Sequence, residues 1–112
     1  MTTERRRFER VVHTVSVECR RTDDSVAYWY KGLTLNVSVG GLALQSVFLF
    51  DVGTVLELQI KFSDRPDPLR LYGRVVWVKP DGLNEHGVEF LDMTAPQQAR
   101  IEDLVRFLTT RL

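Results

Sequence analysis

Cysteine is nearly absent. Cys19 is the only one in 112 residues, so no intrachain disulfide can form and nothing points to a secreted, disulfide-stapled scaffold. Long apolar runs are absent too. None approaches the ~20 residues of a membrane-spanning helix, and the charged N-terminus lacks the apolar stretch of a signal peptide. No membrane insertion is expected, and the cytoplasm is the default compartment. Charge of one sign is also missing: 15 Lys and Arg balance 15 Asp and Glu. A general nucleic-acid binder carries a clear basic excess, so nucleic acid is not the expected partner. The two histidines, His13 and His86, are far apart, with no cysteine or carboxylate at ligand spacing, and no metal site is expected. No nucleophile–base–orienter set is apparent, and no P-loop or dinucleotide fingerprint is present. An enzyme is therefore not expected, nor a resident cofactor. There is no internal repeat, low-complexity tract or linker.

The chain is of single-domain length with 44% hydrophobic residues, enough for one packed core. Its dominant signal is alternation. Val11, His13, Val15, Val17 and Cys19 share one face of a half-buried strand, which places Cys19 as a small buried hydrophobe. Thr22-Asp23-Asp24-Ser25 is a turn cluster, and Val26 to Leu35 reads as a second strand. Asn36 to Gly41 breaks it, and Leu42, Leu44 and Ser46 begin a third. After Gly53, Leu56, Leu58, Ile60 and Phe62 point inward, with Val55, Glu57, Gln59 and Lys61 outward. The prolines of Ser63–Pro68 stop any strand. Leu69 to Val78 is a fifth strand, Pro80 to His86 a loop, and Gly87 to Phe90 a short sixth strand.

The last segment changes period. Thr94-Ala95-Pro96-Gln97 fits a capping box with proline in the first turn. Ile101, Leu104, Val105, Leu108 and Leu112 then recur at helical spacing. The expected fold is all-β. Six antiparallel strands curl into a barrel, which removes exposed edges, and a C-terminal helix comes after them. The expected organisation is a flexible N-terminal arm over 1–10, a β-barrel over 11–92 and an amphipathic helix over 93–112.

Two short patterns stand out against this background. Arg5-Arg6-Arg7-Phe8-Glu9-Arg10 packs four arginines into six positions, with Arg6 and Arg10 in RxxxR spacing. Asn36-Val37-Ser38-Val39-Gly40-Gly41 is the second, with Asn36, Ser38 and Gly41 in [DN]xSxxG spacing. Guanidinium forks clamp phosphates, pair with guanine O6 and N7, and stack on purine faces. A small polar turn lets backbone come close to a ligand. Read separately, the first pattern is equally a solvated basic tail and the second an ordinary turn between strands. Trp77 is in phase with Val75 and reads as a core residue. The alternative is that it lines a ligand surface.

The two patterns in this order resemble the cyclic di-GMP-binding signature of PilZ domains. Gly73-Arg74-Val75-Val76-Trp77-Val78 and Gly87-Val88-Glu89-Phe90 are similar to the stretches that close PilZ barrels, so the resemblance runs over roughly residues 4 to 107. It implies a split-barrel form of the six-stranded fold and a bacterial receptor or adaptor whose ligand is cyclic di-GMP. The expected mechanism is an order transition: the arm, mobile because its arginines repel one another, becomes ordered on binding, and an unknown downstream protein partner reads the change. The implied ligand residues are Arg5, Arg6, Arg10, Asn36, Ser38 and Gly41, with Arg7, Gly40 and Trp77 as further lining. Asn36 stands where many relatives have Asp, and it would meet the guanine N1 and N2 donors through its carbonyl oxygen. Arg5 would cap a stacked guanine and favour a pair of intercalated ligands. Ser38 would donate to the ligand or tie down its turn. The competing readings are a PilZ-like interaction adaptor that binds no nucleotide, and a small barrel that binds single-stranded nucleic acid using Tyr28, Trp29 and Tyr30.

Overall fold

The computed structural model describes residues 15–23, 28–61 and 67–110. Six strands are present: β1 Val15–Arg21, β2 Tyr30–Val37, β3 Gly41–Ser46, β4 Val55–Lys61, β5 Leu69–Lys79 and β6 Asn84–Leu91. One helix comes after them, α1 Ala95–Thr110. The strands close into a barrel in the order β1-β2-β3-β6-β5-β4. Every neighbouring pair is antiparallel, and β1 and β4 form the seam, with Cys19 opposite Leu58. Closure satisfies both sides of each strand, so the barrel offers no free edge.

The interior is what the alternation dictates. Val15, Val17 and Cys19 point inward from β1, Leu42 and Leu44 from β3, and Leu56, Leu58 and Ile60 from β4. Burial removes the Cys19 thiolate from solvation and pushes the thiol up from the ordinary 9.0 to about 12, so it stays a neutral thiol.

One mouth of the barrel is stopped by the segment between β3 and β4. Phe50 folds back into it, 5.8 Å from the Tyr30 ring and 5.4 Å from His86. His86 lies in β6, not in the expected loop, and is fully buried. The Phe50 N–H donates to its Nε2 at 3.0 Å, which leaves the proton on Nδ1 to donate to the Leu44 carbonyl at 3.2 Å. Both ring nitrogens are thereby satisfied, which is why a polar ring is tolerated in the core.

The other mouth is where β1 begins, β2 ends, β3 begins and β6 ends. Here α1 succeeds β6. The Gln97 N–H donates to Thr94 Oγ1 at 3.2 Å, and the Gln97 side chain accepts from the Thr94 N–H at 2.8 Å. This is the reciprocal capping box expected from the sequence. Gln97 Nε2 also donates to the Arg70 carbonyl at 2.8 Å, and Arg100 to the Asp67 carbonyl at 2.9 Å. Ile101 and Leu104 are buried in the core, with Val105 and Leu108 packed beside them.

Several boundaries differ from expectation. β2 starts at Tyr30 rather than Val26, and it carries Asn36 and Val37 instead of ending before them. Asn84 and Glu85 are paired residues of β6, opposite Ser46 and Gln45 of β3, not loop. Gln59, expected outward, is buried. Val11, His13 and Phe62 lie outside the described residues, as does the expected arm over 1–10.

Candidate ligand groove

An open groove of about 300 Å³ lies across the outer surface near the second mouth. Its walls come from the end of β2, the turn into β3, the middle of β6 and the outer part of β5. Asn36, Ser38, Gly40, Gly41 and Trp77 all line it, together with Val76, Gly87 and Glu89. The structure thus brings together all the site residues expected from the sequence that fall within the described part of the chain. Arg5, Arg6, Arg7 and Arg10 lie outside the described residues.

Two interruptions of the strand pairing aim the side chains. From the Leu33–Gln45 pair to the Asn36–Ala43 pair, β2 advances three residues while β3 advances two. From the Val75–Val88 pair to the Trp77–Gly87 pair, β5 advances two residues while β6 advances one. Each is a β-bulge, and an extra residue inverts the inside–outside phase of the strand beyond it. Thr34 is buried and Asn36 is exposed, two residues later, where strict alternation would bury both. Val75 is buried, yet Val76 and Trp77 are both outward, 44% and 45% exposed. Trp77 is therefore not a core residue, contrary to the primary sequence reading. The bulge at Val76 is the reason, and the Trp77 side chain stands on the groove.

The glycines of the groove have different causes. A Cβ on Gly87 would occupy the place of the Trp77 indole, its cross-strand partner. The ring therefore lies on the Gly87 backbone, an aromatic covering a strand glycine. A Cβ on Gly41 would run into the Val88 carbonyl oxygen, so close approach of β6 accounts for glycine there. A Cβ on Gly40 would meet nothing within 4 Å. That leaves its backbone open toward the groove.

Ser38 ties down its turn. Its backbone N–H donates to the Gly41 carbonyl at 2.8 Å, and its hydroxyl donates to the same oxygen at 3.2 Å. The Gly40 carbonyl accepts from Phe90 N–H at 2.9 Å, which fastens the turn to β6. Sequence reasoning does not single out Thr34 or Glu89. For Glu89 a signal exists, since alternation from buried Val88 places it outward. For Thr34 there is none, because its place beside the groove depends on the bulge.

The groove can offer a flat indole face, an amide, a carboxylate and exposed backbone. Among its described lining residues there is no Lys or Arg. A second groove of about 360 Å³ runs over Ser16, Lys31, Leu33, Lys61 and Leu83. It is slightly larger but holds none of the motif residues, and Lys61 is already paired with Glu18 at 3.5 Å. The smaller groove is the candidate site. Among the described residues no cluster of His, Cys, Asp or Glu is placed to hold a metal ion, and no helix is long and apolar enough to cross a membrane.

Fold and groove together define a small closed β-barrel domain with a ligand-sized surface beside one mouth. The PilZ domain family model matches residues 4–107, and the chain belongs to that family. No curated protein matches the sequence. Among solved structures, the PilZ domain of CeSA from a cellulose-synthesizing bacterium is similar over 87% of this chain and 94% of that one, with TM-score 0.67 and 20% identity. The Bacillus subtilis inhibitor of motility MotI/DgrA is 18% identical with TM-score 0.68 over 89% of this chain. The match covers 50% of that protein, so this chain spans half its length. The PilZ domain of YcgR from Escherichia coli, solved with c-di-GMP, is 10% identical with TM-score 0.62, over 88% of this chain and 89% of that one. At these identities the likeness is one of fold.

Proposed function

We propose that this chain is a cyclic di-GMP receptor of the bacterial cytoplasm that passes the signal to a partner protein. The observation that carries the reading is convergence. Asn36, Ser38, Gly40, Gly41 and Trp77 meet on one groove, and β1 begins beside it, with Val15 opposite Thr34. Arg10 precedes Val15 by five residues, and five residues span at most roughly 17 Å. The RxxxR segment is therefore within reach of the groove. A groove with no cation of its own among the described residues needs those arginines to hold phosphates.

In this reading Arg6 and Arg10 clamp the phosphates and guanine edges. Asn36 accepts from guanine N1 and N2, and the outer face of Trp77 stacks on a base. Arg5 caps a second, intercalated ligand, and Arg7 lines the periphery. The family of ligand-binding and adaptor domains and the YcgR domain solved with c-di-GMP support this choice of ligand. The nucleic-acid alternative has less support, because Tyr30 packs on Phe48 at 4.0 Å and Arg20 lies 4.6 Å from the Trp29 ring centre.

Calorimetric titration with cyclic di-GMP tests the proposal, with GMP and cyclic di-AMP as controls. Saturable binding of cyclic di-GMP with at least tenfold preference over both controls is the expected result, that factor being about 1.4 kcal/mol. No binding, in a chain that folds, would leave the nucleotide-free adaptor as the better description.

A further inference from the structure

We infer that Thr34 is a positioning residue for the ligand groove, setting the direction of Asn36 from inside the barrel. The inference deepens the cyclic di-GMP reading and rests on it for its functional consequence. Thr34 is fully buried, and its hydroxyl turns back on its own strand. Thr34 Oγ1 accepts from the Asn36 N–H at 3.2 Å and donates to the Asn36 carbonyl at 3.1 Å. One hydroxyl therefore grips both polar backbone groups of the residue two positions on, at the place where the β2–β3 register slips by one.

A bulge loses regular ladder bonds locally, and its backbone groups need other partners. The Thr34 hydroxyl supplies them. Without it both groups lose that partner, and the backbone carrying the Asn36 side chain on the groove is held only by its pairing with Ala43. Valine has nearly the same outline and lacks the hydroxyl. Serine keeps the hydroxyl and lacks the methyl.

The test has a ligand-free arm and a ligand arm, both on the full chain. In the ligand-free arm, amide hydrogen exchange is read at Asn36. Protection is expected in the wild type, with exchange rising about tenfold in Thr34→Val and staying close to wild type in Thr34→Ser. An unprotected Asn36 amide in the wild type, or unchanged exchange in Thr34→Val, overturns the inference. If Thr34→Val does not fold, the wild-type measurement still decides. In the ligand arm, cyclic di-GMP affinity is expected to fall about tenfold in Thr34→Val and to be rescued in Thr34→Ser. Combined with Asn36→Ala, Thr34→Val should cause no further loss, because the group it positions is gone. A full additional loss in the double variant would mean that Thr34 acts on the fold at large and overturns the inference. Failure of the wild type to bind cyclic di-GMP sinks the proposed ligand and leaves the exchange result to judge Thr34.

Discussion

Gly41 and Gly40 are adjacent and line the same groove, yet they answer to different demands. At Gly41 an added methyl would meet the Val88 carbonyl oxygen, which is backbone of a paired strand and cannot swing aside. At Gly40 there is open space. Gly41→Ala is therefore expected to lower stability by about 1–3 kcal/mol, the range for forcing atoms into packed space. Gly40→Ala should stay within about 0.5 kcal/mol of wild type, as surface changes usually do. Urea denaturation of the two variants checks this. A Gly41→Ala protein as stable as wild type would contradict the close β3–β6 approach. Lost ligand binding in a Gly41 variant is thus first a statement about the barrel. Gly40 is the position where added bulk would report on the ligand itself.

The strand elements show what alternation can and cannot carry. Leu56, Leu58 and Ile60 point inward as period two requires, and so do Leu42, Leu44 and Ser46. Trp77 escapes this logic because it is in phase with Val75 only if the pairing is continuous. The extra residue Val76 is visible in the β5–β6 register and nowhere in the local pattern. Asn36 reads as a turn residue for the same reason, since the bulge in β2 lets a strand residue face outward where a turn looks necessary. His86 is a third case: its burial depends on Phe50 and Leu44, 36 and 42 residues away. The motif residues of the groove are legible because each is a residue type with a direct chemical use. The residues that aim them are not, because bulges and buried hydroxyls work through tertiary pairing. The helix is legible down to its first turn, since a capping box is local. Thr94→Ala removes the hydroxyl that accepts the Gln97 N–H and should cost about 1 kcal/mol. Thr94→Ser should restore most of it. Thermal denaturation distinguishes them, and equal melting points for all three proteins would show that the cap adds nothing.

At the scale of the whole molecule, the barrel is closed and one mouth is stopped by Phe50. A ladder without edges has little freedom to change shape on binding, so a ligand-dependent signal has to arise where the chain is not part of it. β1 begins at Val15, paired with Thr34 two residues before Asn36 of the groove, and the sequence ahead of it carries the four clustered arginines. We therefore expect cyclic di-GMP to slow amide exchange across residues 4–10 while leaving the strands unchanged, as the ligand draws that segment onto the barrel and forms a surface for a partner. Arg6→Ala and Arg10→Ala should each weaken binding roughly ten- to a hundredfold, the effect of losing a charge-assisted bond of about 1.5–3 kcal/mol. Their melting points should match wild type, because both residues lie outside the alternating pattern of the sequence. Arg5→Leu separates clamp from cap: it should lower stoichiometry from two ligands per chain towards one while the remaining ligand still requires Arg6 and Arg10. Calorimetry of the three variants beside exchange measurements reads both effects. If residues 4–10 exchange equally with and without saturating ligand, the ordering mechanism fails even though binding stands. If Arg6→Ala and Arg10→Ala bind as tightly as wild type, the phosphates are held elsewhere and the arginine segment has no part in the site.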